Sequence, residues 1–542
     1  MNKAIFLILL LPAIFFAQDL MDIWNYDSIA DYGWMEVETL WTSDTTYLDM
    51  LGSDMVNLSV GEIRYSSFGA DSGELRIQAF FAYPSGSTDI PGFVVNHGII
   101  MDGELEMAMT FAAGIQSFAL AISAPGHGES DGGSAYHLPN LVWSYPDPRN
   151  NHFYQFAYAT MRGLNYIEAL PMIDNDWTGA IGFSGGADAA FIAAGVDSRI
   201  ELCVPIIPQT DFECCAEDSG WMINVLEETG ISSDDSNVVY LQRYISPINY
   251  ADYFSGFTMM IVGAQDEFEP IDCATSTFAS LNPENSRFEI VANFDHHCYY
   301  TPYGLMYDYD SFDNTSTFYS KILGITNTVL FRLRDGISIP QIPTAYHILH
   351  DDTLEIRAEV GAEFFSNNDL KLWYSIDSAW TFQSMEMSRY LGFDEQYHYI
   401  KIPRSPEFEL DNLIYYVEAK SLPFFWLSSL AYVPEDMKFN LRPFPYEFFG
   451  LAIHENKTPK PNNTDIIAYP NPFNSACYIK LNPNTTIEIF DIEGKSVYRE
   501  ENNRDNGYRL LRWRPSANLS SGIYFIKQKG GVNSFEKIIY AK

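Results

Sequence analysis

The stretch that most constrains the fold is residues 177–195, where an apolar segment leads through a glycine-rich turn into an alanine-rich segment. Residues 179–183 are predicted to form a buried strand and residues 187–194 a helix. Between them, residues 182–186 read Gly-Phe-Ser-Gly-Gly and match the pattern G-x-S-x-G. Glycine on both sides of the serine removes the side chains that would clash in a sharp turn from strand to helix. The pattern predicts Ser184 at the apex of that turn, although a glycine-rich turn with a solvated serine would give the same letters.

Apolar runs alternate with helical patterns on both sides of this turn. Buried strands are predicted at 75–84, 92–95, 118–122, 202–207, 257–262 and 288–292, and helices at 104–114, 151–170, 273–281 and 310–332. Strands that alternate with helices imply a mostly parallel sheet with both faces covered, which is an α/β fold. Residues 19–72 show no clear period and receive no assignment.

An acid and a base follow the serine, each just beyond a predicted strand. Asp266 follows the strand 257–262, and His296 follows the strand 288–292. Catalytic groups gather beyond the carboxyl ends of parallel strands, so Ser184, Asp266 and His296 are expected to meet there. His296 would take the serine proton, and Asp266 would orient the imidazole. The adjacent His297 is the alternative base.

The order serine, aspartate, histidine resembles that of the α/β-hydrolase superfamily. Residues 61–323 are most similar to the acetyl xylan esterase and cephalosporin deacetylase group, with dipeptidyl-peptidase-like hydrolases nearby. The segments that carry the resemblance are His97-Gly98, Pro125-Gly-His-Gly-Glu-Ser130, the approach to the serine turn and the loop from Asp266 to Cys273. The sequence departs from these esterases at Gly185, where they carry Gln, at Ile99, where they carry Tyr, and at His297, where they carry Glu.

The acyl-transfer chemistry also requires donors for a developing oxyanion. We expect the backbone N–H groups of Gly185 and Ile99 to supply them, with His97 as a turn residue rather than a catalyst. Residues 208–255 break the strand–helix rhythm after a strand end, which fits either a lid over the active site or a packed accessory helix pair.

The ends of the chain predict export. Residues 1–17 carry Lys3 and then an apolar run that is too short for a membrane span, which predicts a secretory signal peptide. Residues 466–542 resemble the C-terminal sorting domain of proteins exported by the type IX secretion system. Several motifs match in order, from Tyr469-Pro-Asn-Pro-Phe-Asn474 to Ser521-Gly-Ile-Tyr-Phe525. The resemblance implies secretion machinery as a partner and a location outside the cell or on its surface.

Two further regions separate the hydrolase-like part from the tail. Residues 18–335 are expected to form the α/β-hydrolase domain. Residues 340–445 alternate polar and apolar side chains without helical patterns, which predicts an immunoglobulin-like or fibronectin-like β-sandwich that acts as a spacer or a carbohydrate-binding surface. Residues 446–465 form a polar linker, and residues 466–542 a second small β-domain.

The net charge of the chain bears on its partners, and its cysteine content bears on its disulfide bonds. Lys and Arg total 32 against 71 Asp and Glu, a net charge of -39, which argues against nucleic acid and against anionic membrane surfaces. Six cysteines are too few for a disulfide scaffold. We expect a bridge between Cys273 and Cys298, next to the acid and the base; Cys203, Cys214 and Cys215 are rival partners.

The sequence therefore predicts a secreted serine hydrolase, most simply a carboxylic-ester hydrolase that acts through an acyl-enzyme on a small-molecule or carbohydrate ester. No metal or organic cofactor is implied, and no membrane span is expected in the mature protein. A dipeptidyl-peptidase-like serine peptidase and an inactive surface or adhesion protein on the same fold remain the alternatives.

Overall fold

The structure is a computed structural model of the 542-residue chain. It describes residues 19–49, 54–69, 73–99, 101–133, 139–217, 220–296, 312–361, 370–392, 396–422 and 425–441, together with short segments between 468 and 540. The expected signal peptide, the expected linker, His297 and Cys298 lie outside the described residues.

A nine-stranded sheet forms the centre of the N-terminal part of the chain. Its strands are β1 (Glu38–Leu48), β2 (Met55–Ser67), β3 (Leu75–Pro84), β4 (Ile90–Asn96), β5 (Phe118–Ile122), β6 (Ile173–Phe183), β7 (Leu202–Ile206), β8 (Phe257–Gly263) and β9 (Ser286–Val291). They lie in the order β1-β2-β3-β5-β4-β6-β7-β8-β9. The pairs β1–β2, β2–β3 and β3–β5 are antiparallel, and the pairs from β5–β4 to β8–β9 are parallel. This mostly parallel sheet, with the Ser184 turn after a central strand, is that of the α/β-hydrolase fold.

Helices cover both faces of the sheet. They are α1 (Tyr26–Ala30), α2 (Leu105–Ile115), α3 (Pro139–Val142), α4 (His152–Glu168), α5 (Gly185–Val196), α6 (Cys214–Glu217), α7 (Trp221–Thr229), α8 (Ser236–Tyr244), α9 (Ile271–Ser280) and α10 (Phe312–Arg334). Side chains alternate across each strand, so Val94 joins a core cluster with α4 and α5, whereas Phe93 and Val95 join one with α2 and α10. Each face thus has its own apolar core, and the strand ends remain for the site.

The N-terminal strands were not recognisable from the sequence. β1 and β2 extend the sheet at its antiparallel edge, within the region that showed no period. The side chains of β1 are mostly exposed. An edge strand that buries so little does not need an alternating pattern, which explains the missing signal in β1.

The segment 208–255 folds into helices α6, α7 and α8 followed by a 3-10 helix, Pro247–Tyr253. A disulfide joins Cys214, at the start of α6, to Cys273 in α9, with 5.7 Å between their Cα atoms. The predicted bridge between Cys273 and Cys298 is therefore wrong. Cys273 lies beside the acid loop as expected, and its partner is Cys214, one of the rival cysteines, because the inserted segment also reaches this loop.

The middle part of the chain is all β. Its strands are β10 (Thr344–Leu349), β11 (Thr353–Glu359), β12 (Leu370–Ser375), β13 (Gln383–Glu386), β14 (Ser388–Leu391), β15 (Gln396–Pro403), β16 (Ile414–Leu422) and β17 (Phe425–Ser428). They form two four-stranded sheets, β10-β11-β15-β14 and β13-β12-β16-β17, in which the pairing is antiparallel. Leu354, Leu372 and Val417 are fully buried, as the alternating pattern predicted.

The C-terminal part is a second set of antiparallel sheets. Its strands are β18 (Ala468–Tyr469), β19 (Cys477–Leu481), β20 (Thr485–Phe490), β21 (Ser496–Asn502), β22 (Arg509–Trp513), β23 (Gly522–Lys529) and β24 (Ser534–Tyr540). A three-stranded sheet, β18-β19-β22, and a four-stranded sheet, β21-β20-β23-β24, enclose a small core around Trp513. Within the described parts of the chain, no helix has the length and apolar character that crossing a membrane requires.

Candidate active site

Ser184 occupies a strained turn between β6 and α5. Its backbone φ is 53° and ψ is -132°, a region that residues with a side chain rarely adopt. Such a conformation costs about 1–3 kcal/mol and persists where the surroundings enforce it. The strain sets Ser184 at the N-terminus of α5, where the helix dipole favours negative charge.

The glycines around the serine are needed for steric reasons. A Cβ atom on Gly182 would lie 2.2 Å from the carbonyl oxygen of Gly186, and one on Gly186 would lie 2.2 Å from that of His97. A Cβ on Gly98 would lie 3.3 Å from the Ser184 Cβ. The loop after β4 therefore runs directly against the serine turn, which is only feasible without side chains at these positions.

The side chains of Ser184, His296 and Asp266 form a chain of hydrogen bonds. His296 Nδ1 lies 2.9 Å from both carboxylate oxygens of Asp266, so it carries the proton and donates it there. His296 Nε2 lies 2.8 Å from Ser184 Oγ and is left as the acceptor of the serine hydroxyl. The three residues come from the loops after β6, β8 and β9, at one edge of the sheet. The structure thus brings together the three residues that the sequence singled out.

The loop that carries Asp266 also fixes the carboxylate and the imidazole. Asp266 Oδ1 accepts the backbone N–H groups of Phe268 at 2.8 Å and Glu269 at 3.1 Å. The ring of Phe268 stacks on the imidazole of His296, with 3.9 Å between centroids. Glu267 Oε2 accepts the backbone N–H of His296 at 3.1 Å. Each contact limits rotation of a group that would transfer or stabilise a proton.

Burial and charge act in opposite directions on His296. Burial disfavours the imidazolium, but the Asp266 carboxylate and its hydrogen bond favour it, and the pKa of His296 is raised above the ordinary 6.5. Glu267 is buried beside the same groups, and desolvation together with the charge of Asp266 raises its pKa to about 7. Glu267 therefore titrates near neutral pH, directly beside an imidazole whose pKa lies above its ordinary value.

The two residues expected to hold the oxyanion are neighbours. A Cβ on Gly185 would lie 2.4 Å from Ile99 Cγ1 and 3.2 Å from a ring carbon of Phe153. Gly185 is the first residue of α5, and Ile99 belongs to the loop that runs past Ser184 through Gly98. The main chain of both residues is thus close to the serine.

Both ring nitrogens of His97 form hydrogen bonds with backbone groups. Its Nε2 accepts the backbone N–H of Ala124 at 2.9 Å, so its Nδ1 is protonated and donates to the Gly98 carbonyl at 2.7 Å. Complete burial lowers the pKa of His97 to about 3, which keeps the ring neutral. The ring bridges two loops at the strand ends, in line with its interpretation as a turn residue.

The sequence missed the residues that support this site. Glu267 and Phe268 lie directly after Asp266, but a single sequence does not show which neighbours of an acid face the histidine. The inserted segment contacts the same loop: the backbone N–H of Trp221 donates to the Phe268 carbonyl at 2.9 Å, and that of Thr210 to Glu269 Oε1 at 3.0 Å. The insertion therefore lies beside the acid loop. Its role as a lid remains a proposal.

The C-terminal part of the chain is similar to a known family of domains. Residues 467–541 match the family model of the secretion system C-terminal sorting domain. These residues are a secretion sorting domain. The sorting domain confirms the predicted export, and it places the protein outside the cell or at its surface.

Solved structures similar to this chain align with about half of it. An acetyl xylan esterase from Paenibacillus sp. R4 is 20% identical, with 50% of this chain and 87% of that chain covered and a TM-score of 0.41. Acetyl xylan esterase 1 from Thermoanaerobacterium sp. JW/SL YS485 is 16% identical, with 56% and 94% covered and the same TM-score of 0.41. Est1E from Butyrivibrio proteoclasticus, bound to ferulic acid, is 15% identical, with 50% and 98% covered and a TM-score of 0.34. Curated protein sequences give no match. The fold assignment therefore rests on the sheet order and the serine turn of this chain.

Proposed function

We propose that this exported protein is a serine hydrolase that cleaves carboxylic esters through Ser184, His296 and Asp266. The observation that carries the proposal is the chain of hydrogen bonds from Ser184 Oγ through the imidazole to Asp266. A serine hydroxyl is a weak nucleophile until a base removes its proton, and this geometry supplies the base and orients it.

The reaction proceeds in two halves. Ser184 Oγ attacks the ester carbonyl carbon while His296 Nε2 takes the hydroxyl proton, and Asp266 stabilises the imidazolium that results. The tetrahedral intermediate collapses, His296 returns the proton to the leaving alkoxide, and the acyl group stays on Ser184. A water molecule, deprotonated by His296, then attacks the acyl-enzyme, and His296 returns that proton to Ser184 Oγ as the carboxylic acid leaves.

The oxyanion is stabilised by the backbone N–H groups of Gly185 and Ile99. Their position next to Ser184 and the N-terminus of α5 support this assignment. No step of the mechanism calls for a metal or an organic cofactor. The insertion 208–255, which contacts the acid loop, is proposed to cover the site as a lid and to select the substrate.

An ester is favoured as the substrate by the resemblance of residues 61–323 to the acetyl xylan esterase and cephalosporin deacetylase group. The sorting domain adds that the substrate is met outside the cell, which suits a carbohydrate ester or another small-molecule ester. The peptidase alternative requires an aminoacyl amide in the same position.

A panel of acetyl esters and aminoacyl amides separates these activities. We expect hydrolysis of acetyl esters by the full chain and no hydrolysis by Ser184→Ala. His296→Ala should lower kcat by several orders of magnitude, as the loss of a triad member does. Full activity in Ser184→Ala rules out the nucleophile, and a dead His297→Ala with an active His296→Ala would transfer the role of base to His297. Hydrolysis of amides but not esters favours the peptidase.

A further inference from the structure

The loop that carries His296 is attached to the β-sandwich by one asparagine. Asn293 Nδ2 donates to the carbonyl of Phe382 at 2.8 Å, and its Oδ1 accepts the N–H of the same residue at 2.7 Å. The side chain thus pairs with both backbone groups of Phe382, as a strand neighbour would. Asn293 also has a φ of 54°, which asparagine tolerates better than most residues with a side chain.

The loop that carries Asp266 is attached to the same part of the sandwich. Gln265 Nε2 donates to the carbonyl of Trp380, and the backbone N–H of Gln265 donates to the carbonyl of Phe294 at 3.0 Å. The acid loop and the histidine loop are therefore bonded to each other and, through one side chain each, to residues 376–382 of the sandwich. We call residues 376–382, which connect β12 to β13, the sandwich turn.

The sandwich turn is built rigidly by its own side chains. Asp377 accepts the backbone N–H of Thr381 at 2.9 Å and its hydroxyl at 2.6 Å. Ser375 Oγ accepts the backbone N–H of Ala379 at 3.0 Å. Ser378 and Ala379 have φ values of 62° and 70°, so the chain is held in a tightly curved path. A turn fixed in this way can hold the loops that it contacts.

A shared core carries the sandwich turn into the hydrolase domain. One buried cluster contains Val262 and Ile290, from β8 and β9, together with Phe382 and Tyr416 of the sandwich. Phe382 is 3% exposed. Because strands β8 and β9 end in the acid and histidine loops, the sandwich packs against the part of the sheet from which two of the three proposed catalytic residues project.

We propose that the β-sandwich is a positioning element of the active site, which holds the Asp266 and His296 loops in register through Gln265 and Asn293. This inference rests on the proposed function for its catalytic consequence. It gives the middle domain a role other than the spacer or the carbohydrate-binding surface expected from the sequence. Gln265 and Asn293 are positioning residues: among the described residues neither forms a hydrogen bond with Ser184, and each acts through the loop that it fixes.

The consequence of releasing either contact follows from the hydrogen-bond chain. The imidazole bonds to Ser184 and Asp266 at 2.8 and 2.9 Å, so a shift of the histidine loop lengthens one or both bonds. A misplacement of about 1 Å can lower the rate of an enzyme by about 100-fold. Substrate contacts on the other loops are unaffected, so kcat should fall while KM changes little.

The test replaces Asn293 by glycine, which adopts the same positive φ freely and removes only the side-chain contacts. We expect Asn293→Gly in the full chain to lower kcat by at least about tenfold, with KM within about twofold of the parent. Asn293→Asp keeps the acceptor for the Phe382 N–H but sets a carboxylate oxygen against the Phe382 carbonyl, so it should not recover the loss. Gln265→Ala is measured in parallel, so that the test stands if Asn293→Gly does not fold.

The matched control is Ser428→Ala. Ser428 Oγ accepts the backbone N–H of Ile290 at 3.0 Å and donates to Glu289 Oε2 at 3.1 Å, so this variant also removes two hydrogen bonds between the sandwich and the hydrolase domain. These bonds reach strand β9 rather than the loops. We expect Ser428→Ala to lower the free energy of unfolding while kcat changes less than about twofold. Equal losses of kcat in the two variants would show that the contacts matter for stability alone, and the proposal would be overturned.

A measurement that needs no substrate completes the test. NMR titration of the His296 imidazole, assigned by its absence in His296→Gln, should give a lower pKa in Asn293→Gly than in the parent, because the contact with Asp266 is loosened. The titration should be unchanged in Ser428→Ala. If the parent hydrolyses no ester, the proposed function fails, and the titration still decides the positioning role. An unchanged titration in both Asn293→Gly and Gln265→Ala overturns it.

Discussion

Replacing Cys273 by alanine should destabilise the hydrolase domain by several kcal/mol. The Cys214–Cys273 bond links residues that are 59 positions apart. In the chain-entropy model, closing a loop of that length in the unfolded chain stabilises the native state by about 4 kcal/mol at 25 °C. Because the protein is exported, the bond forms in an oxidising environment and persists. Cys273 is the better position to change, since Cys215 next to Cys214 could otherwise form a substitute bridge.

The assay is guanidinium denaturation of the full chain, followed by tryptophan fluorescence and circular dichroism and fitted to the transition of the hydrolase domain. Reduction of the parent protein should lower its free energy of unfolding to a similar extent, whereas Cys273→Ala should be insensitive to reductant. A difference below about 1 kcal/mol between the oxidised and reduced parent would mean that the bond does not constrain the unfolded chain, contrary to this prediction.

Three further predictions concern the acid loop, the insertion and the sorting domain. Glu267→Gln keeps the acceptor for the backbone N–H of His296 but removes a negative charge that favours the imidazolium, so the pKa of His296 should fall. Because His296 is active as a base when neutral, the acidic limb of the pH–kcat/KM profile should move to lower pH. An acidic limb that does not move contradicts this prediction. Trp221→Ala should change the ratio of rates for acetyl and butyryl esters, because Trp221 packs on Phe153 beside the serine turn, with 6.0 Å between ring centroids; an unchanged ratio argues against the lid. Removal of residues 466–542 should leave the specific activity intact and stop export, so normal secretion of the truncated chain in its native host counts against the assignment.

Local patterns were sufficient to predict the strands and helices that form the site. Strands β4, β5, β7 and β8 of the central sheet are short, mostly apolar runs that are buried on both faces, and each ends in a turn that the sequence marks. Strand β5 has the predicted bounds, Phe118–Ile122, and α4 and α9 differ from prediction by one or two residues at each end. Continuous apolar runs mark the strands, and apolar side chains at helical spacing mark the helices, so few alternatives remain for these segments.

The serine, the acid and the histidine were also recognisable, since each follows a predicted strand directly. What local patterns do not contain is the contact between distant segments. The sequence placed Cys273 beside the acid loop, yet its partner is Cys214, which arrives from an insertion whose path no periodicity predicts. The hydrogen bonds of Asn293 and Gln265 to the sandwich depend on how the two domains dock. The residue pattern within either domain does not predict that docking.

Covalent labelling shows whether Ser184 is an activated nucleophile. The full chain is treated with a fluorophosphonate, and the modified peptide is identified by mass spectrometry, with Ser184→Ala and His296→Ala as controls. We expect a single adduct on Ser184 that is absent from Ser184→Ala and forms far more slowly in His296→Ala. Absence of label on Ser184 in the folded parent, or equal labelling with and without His296, would show that Ser184 is not activated by His296.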